Sequence, residues 1–549
     1  MSDLAFTPAV EQARLIRERR VSPVELTELY LDRIERLDPQ LNSFVTVDVE
    51  GARAAARAAE AALSQPELPP FHGVPISLKD LDVVAGIRTT MSSAPFADWV
   101  PDFDSAMVGR LRRAGFTFLG KTNTPEFGSR SVTESELNGA CRNPWDTSRT
   151  SGGSSGGAAA ALAAGLCGIS QGSDGGGSIR IPASCCGVFG LKPSRGRISG
   201  APTFGAIIEG FATSGPIART VKDAAALLDV QAGYEVGDPY WATPPERPFA
   251  DEVGRDPGRL RIAVAVTPPF VAEIDPLCEE AARAAGHLLE SLGHHVVEAT
   301  PDWADPEYLE LFGTVWAGSS AYFGMAPRDA VEPLNRALAE KADRITVTEY
   351  VTTMTKIHRL ARRIVAFWND IDVLVTPGLA MQPVPVGWGL EPDDVWEQFD
   401  RGWAFTPFTQ VANLTGQPAA SLPLYWTAEG LPLGVQVVGP PTGEALLLRL
   451  CAQVAAAWPW AGRRPPVSSG GRPGRTWPER GRPRSSPPNA RRSPSRCTST
   501  RTIRVPSRTG WRRRRRSGSR RSACSRRCWR RWTVRGSLSP WCRSWRSSI

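Results

Sequence analysis

Apolar positions along the 549-residue chain change period repeatedly, and those changes separate helices from strands. Ser22-Pro23-Val24-Glu25 reads as a helix start. The serine and the glutamate three residues on form a capping box, with proline at the first helical position. Leu26, Leu29, Tyr30, Ile34 and Leu37 then fall on one helical face. From Gly73 to Asp80 the apolar residues Val74, Ile76 and Leu78 alternate with others, which predicts a strand carrying Lys79 near its end. On such a strand Asp80 and Asp82 face away from Lys79. Phe116-Thr117-Phe118-Leu119 reads as a short buried strand, and alanine-rich Ala158 to Leu166 as a helix. Runs of Val, Leu and Ile between alanine-rich helical stretches place the chain in the α/β class. No apolar run approaches the ~20 residues that span a bilayer.

The densest chemistry lies between Ser151 and Pro193, SGGSSGGAAAALAAGLCGISQGSDGGGSIRIPASCCGVFGLKP. Two glycine-flanked serines, Ser154 and Ser178, stand on either side of the alanine-rich stretch. No histidine lies between His72 and His287. A base other than histidine is therefore at hand in sequence, namely Lys79. Lysine, serine pair, Gly-Gly-Gly-Ser-Ile-Arg and the following Pro182-Ala183 occur in an order and spacing that resemble the amidase signature family, serine hydrolases with a Ser-Ser-Lys triad.

Carried over residue by residue, the resemblance implies that Ser178 is the nucleophile, Ser154 the proton shuttle and Lys79 the base. Gly175, Gly176 and Gly177 would supply oxyanion donors. It also implies a cis peptide bond before Ser154. Amide hydrolysis needs these parts, because the amide nitrogen leaves poorly without an activated nucleophile, an acid and oxyanion stabilisation. Glycines fit the donor role because, without Cβ atoms, they bring backbone N–H groups close to a ligand. A lysine base must be neutral. Its pKa must fall from about 10.4 to about 7–8, worth about 4 kcal/mol and supplied mainly by burial. Val74, Ile76 and Leu78 suit that burial. Asp174 and Arg180 also match the family pattern and are read as a structural pair that holds the loop.

Two other motifs compete and are set aside. Gly115-Phe116-Thr117-Phe118-Leu119-Gly120-Lys121-Thr122 fits the Walker A pattern. A phosphate cradle needs a wide loop followed by a helix, whereas Phe-Thr-Phe-Leu reads as strand and Asn123-Thr124-Pro125 starts a helix poorly. Gly152 to Gly157 satisfies the G-x-S-x-G elbow, centred on Ser154 or Ser155. An elbow follows a strand, and Asn143 to Thr150 reads as loop.

The resemblance spans residues 1–466 and implies one large α/β domain, a mixed sheet flanked by helices. Asn413 to Pro418 and Gly434 to Gly439 fit the family's closing strands. Its phrases resemble the bacterial branch that includes the 6-aminohexanoate cyclic-dimer hydrolases. The alternative within the family is the A subunit of the tRNA-dependent amidotransferase, a glutaminase. That protein carries an acid shortly before its Asn-Leu-Ala-Gly stretch, whereas Trp403 to Gln410 has none and is aromatic. A stand-alone amidase with a small-molecule amide substrate is therefore preferred. The resemblance leaves room for a homodimer.

Charge divides the chain sharply. The net +9 conceals a tail, residues 467–549, whose composition is unlike the rest. Residues 465–549 hold 25 arginines, no lysine and one acid, Glu479. The tail is expected to be disordered. Its tryptophans among arginines suit non-specific nucleic-acid or anionic-membrane binding. Its arginine, tryptophan, proline and serine without lysine also match GC-rich DNA read in a wrong frame or past a lost stop, the reading preferred here over any evolved binding role, specific nucleic-acid binding included. The six cysteines before the tail are scattered, with Cys185 and Cys186 adjacent, and suggest neither a disulfide framework nor a metal site. The expectation is a cytoplasmic enzyme without cofactor or metal, with no signal peptide and no membrane partner.

Overall fold

The computed structural model describes residues 4–320 and 326–469, all within the unit Met1–Thr476. The tail expectations lie outside these residues, apart from its first few positions. An eleven-stranded mixed sheet forms the centre. Its order begins Phe44–Val47, Thr117–Thr122, Pro75–Lys79, Ile169–Asp174, Thr213–Ala218 and Phe189–Lys192. It continues through Ala419–Trp426, Pro432–Val438, Val373–Pro377, Arg261–Val264 and His295–Glu298. Strand Pro75–Lys79 runs parallel to both its neighbours, and its register with Ile169–Asp174 pairs Ile76 with Ile169 and Ser77 with Ser170. Two carboxyl strand ends therefore meet at Lys79 and Asp174, the kind of edge at which open α/β sheets bind ligands.

The capping box forms as read. Ser22 Oγ accepts from Val24 N and Glu25 N, and Ser22 N donates to Glu25 Oε2, starting helix Pro23–Leu37. Helix Gly156–Ala164 is apolar on all sides and every residue of it is buried, as expected of a helix inside the core rather than on the surface. It passes so close to its neighbours that a Cβ on Gly157 would lie 2.3 Å from Asn123 N and 2.4 Å from Ser43 O. Strand Thr117–Thr122 occupies the Walker-like segment, and the buried Lys121 donates to Asp82 O and Thr89 Oγ1.

One reading is corrected. Gln410–Thr415 is a helix, ended by Gly416 at φ 77°, and the strand starts only at Ala419. Only glycine adopts that left-handed cap freely, so the chain turns there before Pro418. At the other end of the domain, Val467 is buried and Arg33 Nη2 donates to Ser468 O, so packing continues past residue 466. The described cysteines are all free and buried. Among the described residues no helix is long and apolar enough to cross a membrane.

Candidate active site

Lys79 ends its strand completely buried, and its Nζ stands 2.7 Å from Ser154 Oγ. The same nitrogen donates to Ser173 Oγ at 3.1 Å and to Ser173 O at 3.3 Å. Burial brings the Lys79 pKa down to about 7, against the charges of Asp82 and Asp174, which favour the protonated form. Strand alternation had turned both nearby acids away. It holds for Asp80, whose carboxylate accepts from Thr90 N and Oγ1. The strand stops at Lys79, however, so Asp82 escapes the alternation and its charge reaches the lysine. Burial still wins.

Neutral Lys79 has two N–H bonds and one lone pair. Ser173 O can only accept, and Ser173 Oγ accepts the second N–H. The lone pair is then left facing Ser154 Oγ–H. Low pKa alone would not single out this lysine. Lys192 is equally buried and also falls to about 7, mainly by burial, but its Nζ donates to Pro193 O.

Ser154 follows a cis Gly153–Ser154 peptide and is 2 % exposed. Thr133 Oγ1 fixes that turn, donating to Gly152 O at 2.8 Å and accepting from Gly156 N at 3.1 Å. Ser155 N donates to Ser178 O at 3.1 Å, tying the two serine segments together. Ser155 Oγ donates to Ser173 O and so does not compete for Lys79.

The glycine loop is shaped by Asp174. Its carboxylate accepts from Gly177 N at 2.8 Å and Ile179 N at 3.1 Å. Gly177 sits at φ 132°, and a Cβ there would lie 2.3 Å from Thr409 Oγ1. The N–H of Gly177, expected among the oxyanion donors, is thus already engaged. Those of Gly175, Gly176 and Ser178 find no acceptor among the described residues. Arg180 grips Asp174 through Nε and Nη2 at 2.9 and 2.8 Å. It also donates to Thr409 O, Gln436 Oε1 and Asn413 Oδ1. Burial alone would raise the Asp174 carboxyl, but the guanidinium holds it well below the usual carboxylate range. The pair is structural, as read from sequence.

Two cavities meet at Ser178, Ser129 and Trp316. The larger, about 480 Å³, also reaches Ser154, Ser173 and Gly175. The smaller, about 40 Å³, reaches Gly176 and is walled by Trp316, Trp388, Phe399 and Trp403. Trp403 packs edge-to-face on Phe399, Phe312 and Trp316 at 5.0, 5.1 and 5.8 Å. Of the residues singled out in sequence, Ser178 lines both cavities, Ser154 and Gly175 line the larger, Gly176 lines the smaller, and Lys79 stands behind Ser154. Sequence reading missed Ser173, Thr133 and Trp316. Ser173 alone carried a signal, lying one residue before Asp174 on the strand beside Lys79.

The family model Amidase matches residues 25–448. The chain belongs to the amidase signature family. Like its relatives, this amidase is an enzyme that hydrolyses amides. The amidase is 37 % identical over 480 residues to the 6-aminohexanoate-cyclic-dimer hydrolase of Paenarthrobacter ureafaciens, covering 83 % of this chain and 96 % of that one. A solved structure of 6-aminohexanoate cyclic dimer hydrolase complexed with substrate superposes with a TM-score of 0.80 at 36 % identity, over 84 % of this chain and 99 % of the other. The A subunit of the glutamyl-tRNA(Gln) amidotransferase from Thermotoga maritima reaches a TM-score of 0.67 at 27 % identity, over 83 % and 96 % of the two chains. The amidase likeness is thus the stronger of the two.

Proposed function

We propose that this amidase cleaves carboxamides through an ester on Ser178, with Ser154 and Lys79 relaying protons. The 2.7 Å approach of Lys79 Nζ to Ser154 Oγ, at the wall of the cavity that also holds Ser178, carries the reading. Ser178 Oγ attacks the carbonyl carbon and passes its proton to Ser154 Oγ, whose own proton moves to neutral Lys79. The carbonyl oxygen becomes an oxyanion, received by the N–H groups of Gly175, Gly176 and Ser178. The C–N bond then breaks. The departing nitrogen takes a proton from Ser154, which regains one from Lys79. Water hydrolyses the ester by the same relay, releasing the acid and restoring Ser178.

Residues Trp403 to Gln410 place aromatic and neutral groups beside the site, with no acid to hold a glutamine ammonium. The chain without amidotransferase partners should therefore hydrolyse acetanilide and release little ammonia from glutamine. The check is product formation from both substrates by the purified chain. Glutamine hydrolysis that appears only after the other amidotransferase chains are added would favour the glutaminase reading instead.

A further inference from the structure

The two cavities at Ser178 are unequal in size and in what they reach, and this asymmetry bears on which half of an amide lies where. Ser154 and Ser173 line only the large chamber, whereas Gly176, Trp403 and Phe399 line only the small one. In the relay above, the nitrogen receives its proton from Ser154 as the C–N bond breaks, so the amine must lie on the side to which Ser154 opens. The acyl carbon chain, on the other side of the carbonyl, then points past Gly176.

Sizes follow from that orientation. The amine side has about 480 Å³, within the range of about 300–1,000 Å³ that holds a ligand of drug size. Leu81, Met91, Phe127, Ile207, Ile208 and Leu338 make its wall largely apolar. Arg328 and Asp343, which also line it, pair with each other. The acyl side has about 40 Å³, about a twelfth of the amine side. Its wall is aromatic. A Cβ on Gly176 would lie 3.7 Å from both Trp316 Cζ3 and Trp403 Cζ3 and 3.8 Å from Phe312 Cζ, and the rings brace one another edge-to-face. Arg130 also lines this recess, where burial lowers its pKa against the opposing charges of Glu332, Glu134, Glu126 and Glu136.

We propose that the substrates are amides of a short acyl group with a bulky apolar amine, the acyl group seated in the tryptophan-walled recess at Gly176 and the amine in the chamber shared with Ser154. The proposal rests on the triad reading above and adds the direction in which the substrate lies. Trp403 is on this account the residue that limits acyl length.

Two substrate series measured on the full chain test it. With 4-nitroaniline as the amine, kcat/KM should fall about tenfold or more from the acetyl to the hexanoyl anilide. With acetyl fixed, 4-butylacetanilide should exceed acetanilide about tenfold, since four further carbons find apolar wall. Trp403→Ala should raise the hexanoyl-to-acetyl ratio about tenfold and leave the 4-butyl preference in place. Phe399→Ala, on the same recess, gives a second chance at that readout, and the wild-type series decides if neither variant folds. An acyl series that rises with length, or two flat series, would overturn the seating. Such a result with Ser178 still labelled by a fluorophosphonate counts against the seating alone. Failure to hydrolyse any amide, with Ser178 unlabelled, counts against the triad.

Discussion

Ser178→Ala should lower kcat for acetanilide by about 10⁵-fold or more while the protein keeps its fold. Three features make Ser178 the position where loss is greatest. It adjoins both cavities, it closes the loop in which the Gly175, Gly176 and Ser178 N–H groups have no acceptor among the described residues, and its main chain is tied to Ser155. The hydroxyl has no structural duty that would confuse the result, since the Asp174–Arg180 network holds the loop through other atoms. A small residual rate is expected, because the oxyanion donors and the cavities survive the substitution, and such remnants typically leave about 10³–10⁴ over the uncatalysed reaction. Steady-state rates beside circular dichroism of both proteins check the prediction. Ser154→Ala should cost less than Ser178→Ala, since the acyl-enzyme bond is made at Ser178.

Lys79→Met should be nearly as damaging to activity, and the pH profile shows why. The relay needs neutral Lys79, whose pKa burial has lowered to about 7. On the proposed relay the protonated lysine is inactive, so kcat/KM of the wild type should rise about tenfold per pH unit below 7 and level off above it. Methionine is similar in length and carries no charge, so it fits the buried site without a desolvation cost. Folding should survive while the relay is lost. Lys79→Arg should fail equally, because a guanidinium stays charged across the accessible range. Lys192 titrates in the same region but donates only to Pro193 O, so Lys192→Met should leave the rising limb in place. A limb that moves with Lys192 and not with Lys79 would reassign the base.

Much of this site is legible in sequence because its chemistry is compressed into short segments. The alternation of Val74, Ile76 and Leu78 sets the strand that delivers Lys79, and the glycine-flanked serines bracket a helix too apolar to lie on a surface. What local pattern does not carry is the hydrogen bonding of a folded loop. Nothing in Asp-Gly-Gly-Gly-Ser tells that the Asp174 carboxylate will fold back onto Gly177 N and remove it from the donor set. Nor does it place Trp316 and Trp403, which come from helices Tyr308–Gly318 and Val395–Phe405 far along the chain and meet Gly176 only through tertiary packing. Asn413 to Pro418 resembles a closing strand of the family, but Gln410–Thr415 is a helix of six residues, too short to display a helical period, and Gly416 ends it.

The direct test of the account is where a serine-directed fluorophosphonate attaches to the intact chain. Peptide mapping of the inhibited wild type should find one adduct, on Ser178, and Ser178→Ala should take up none. Labelling of the wild type should fall as the pH is lowered through 7, because protonated Lys79 cannot accept the proton that passes through Ser154. An adduct on Ser154 or Ser155 with Ser178 untouched would contradict the assignment of the nucleophile.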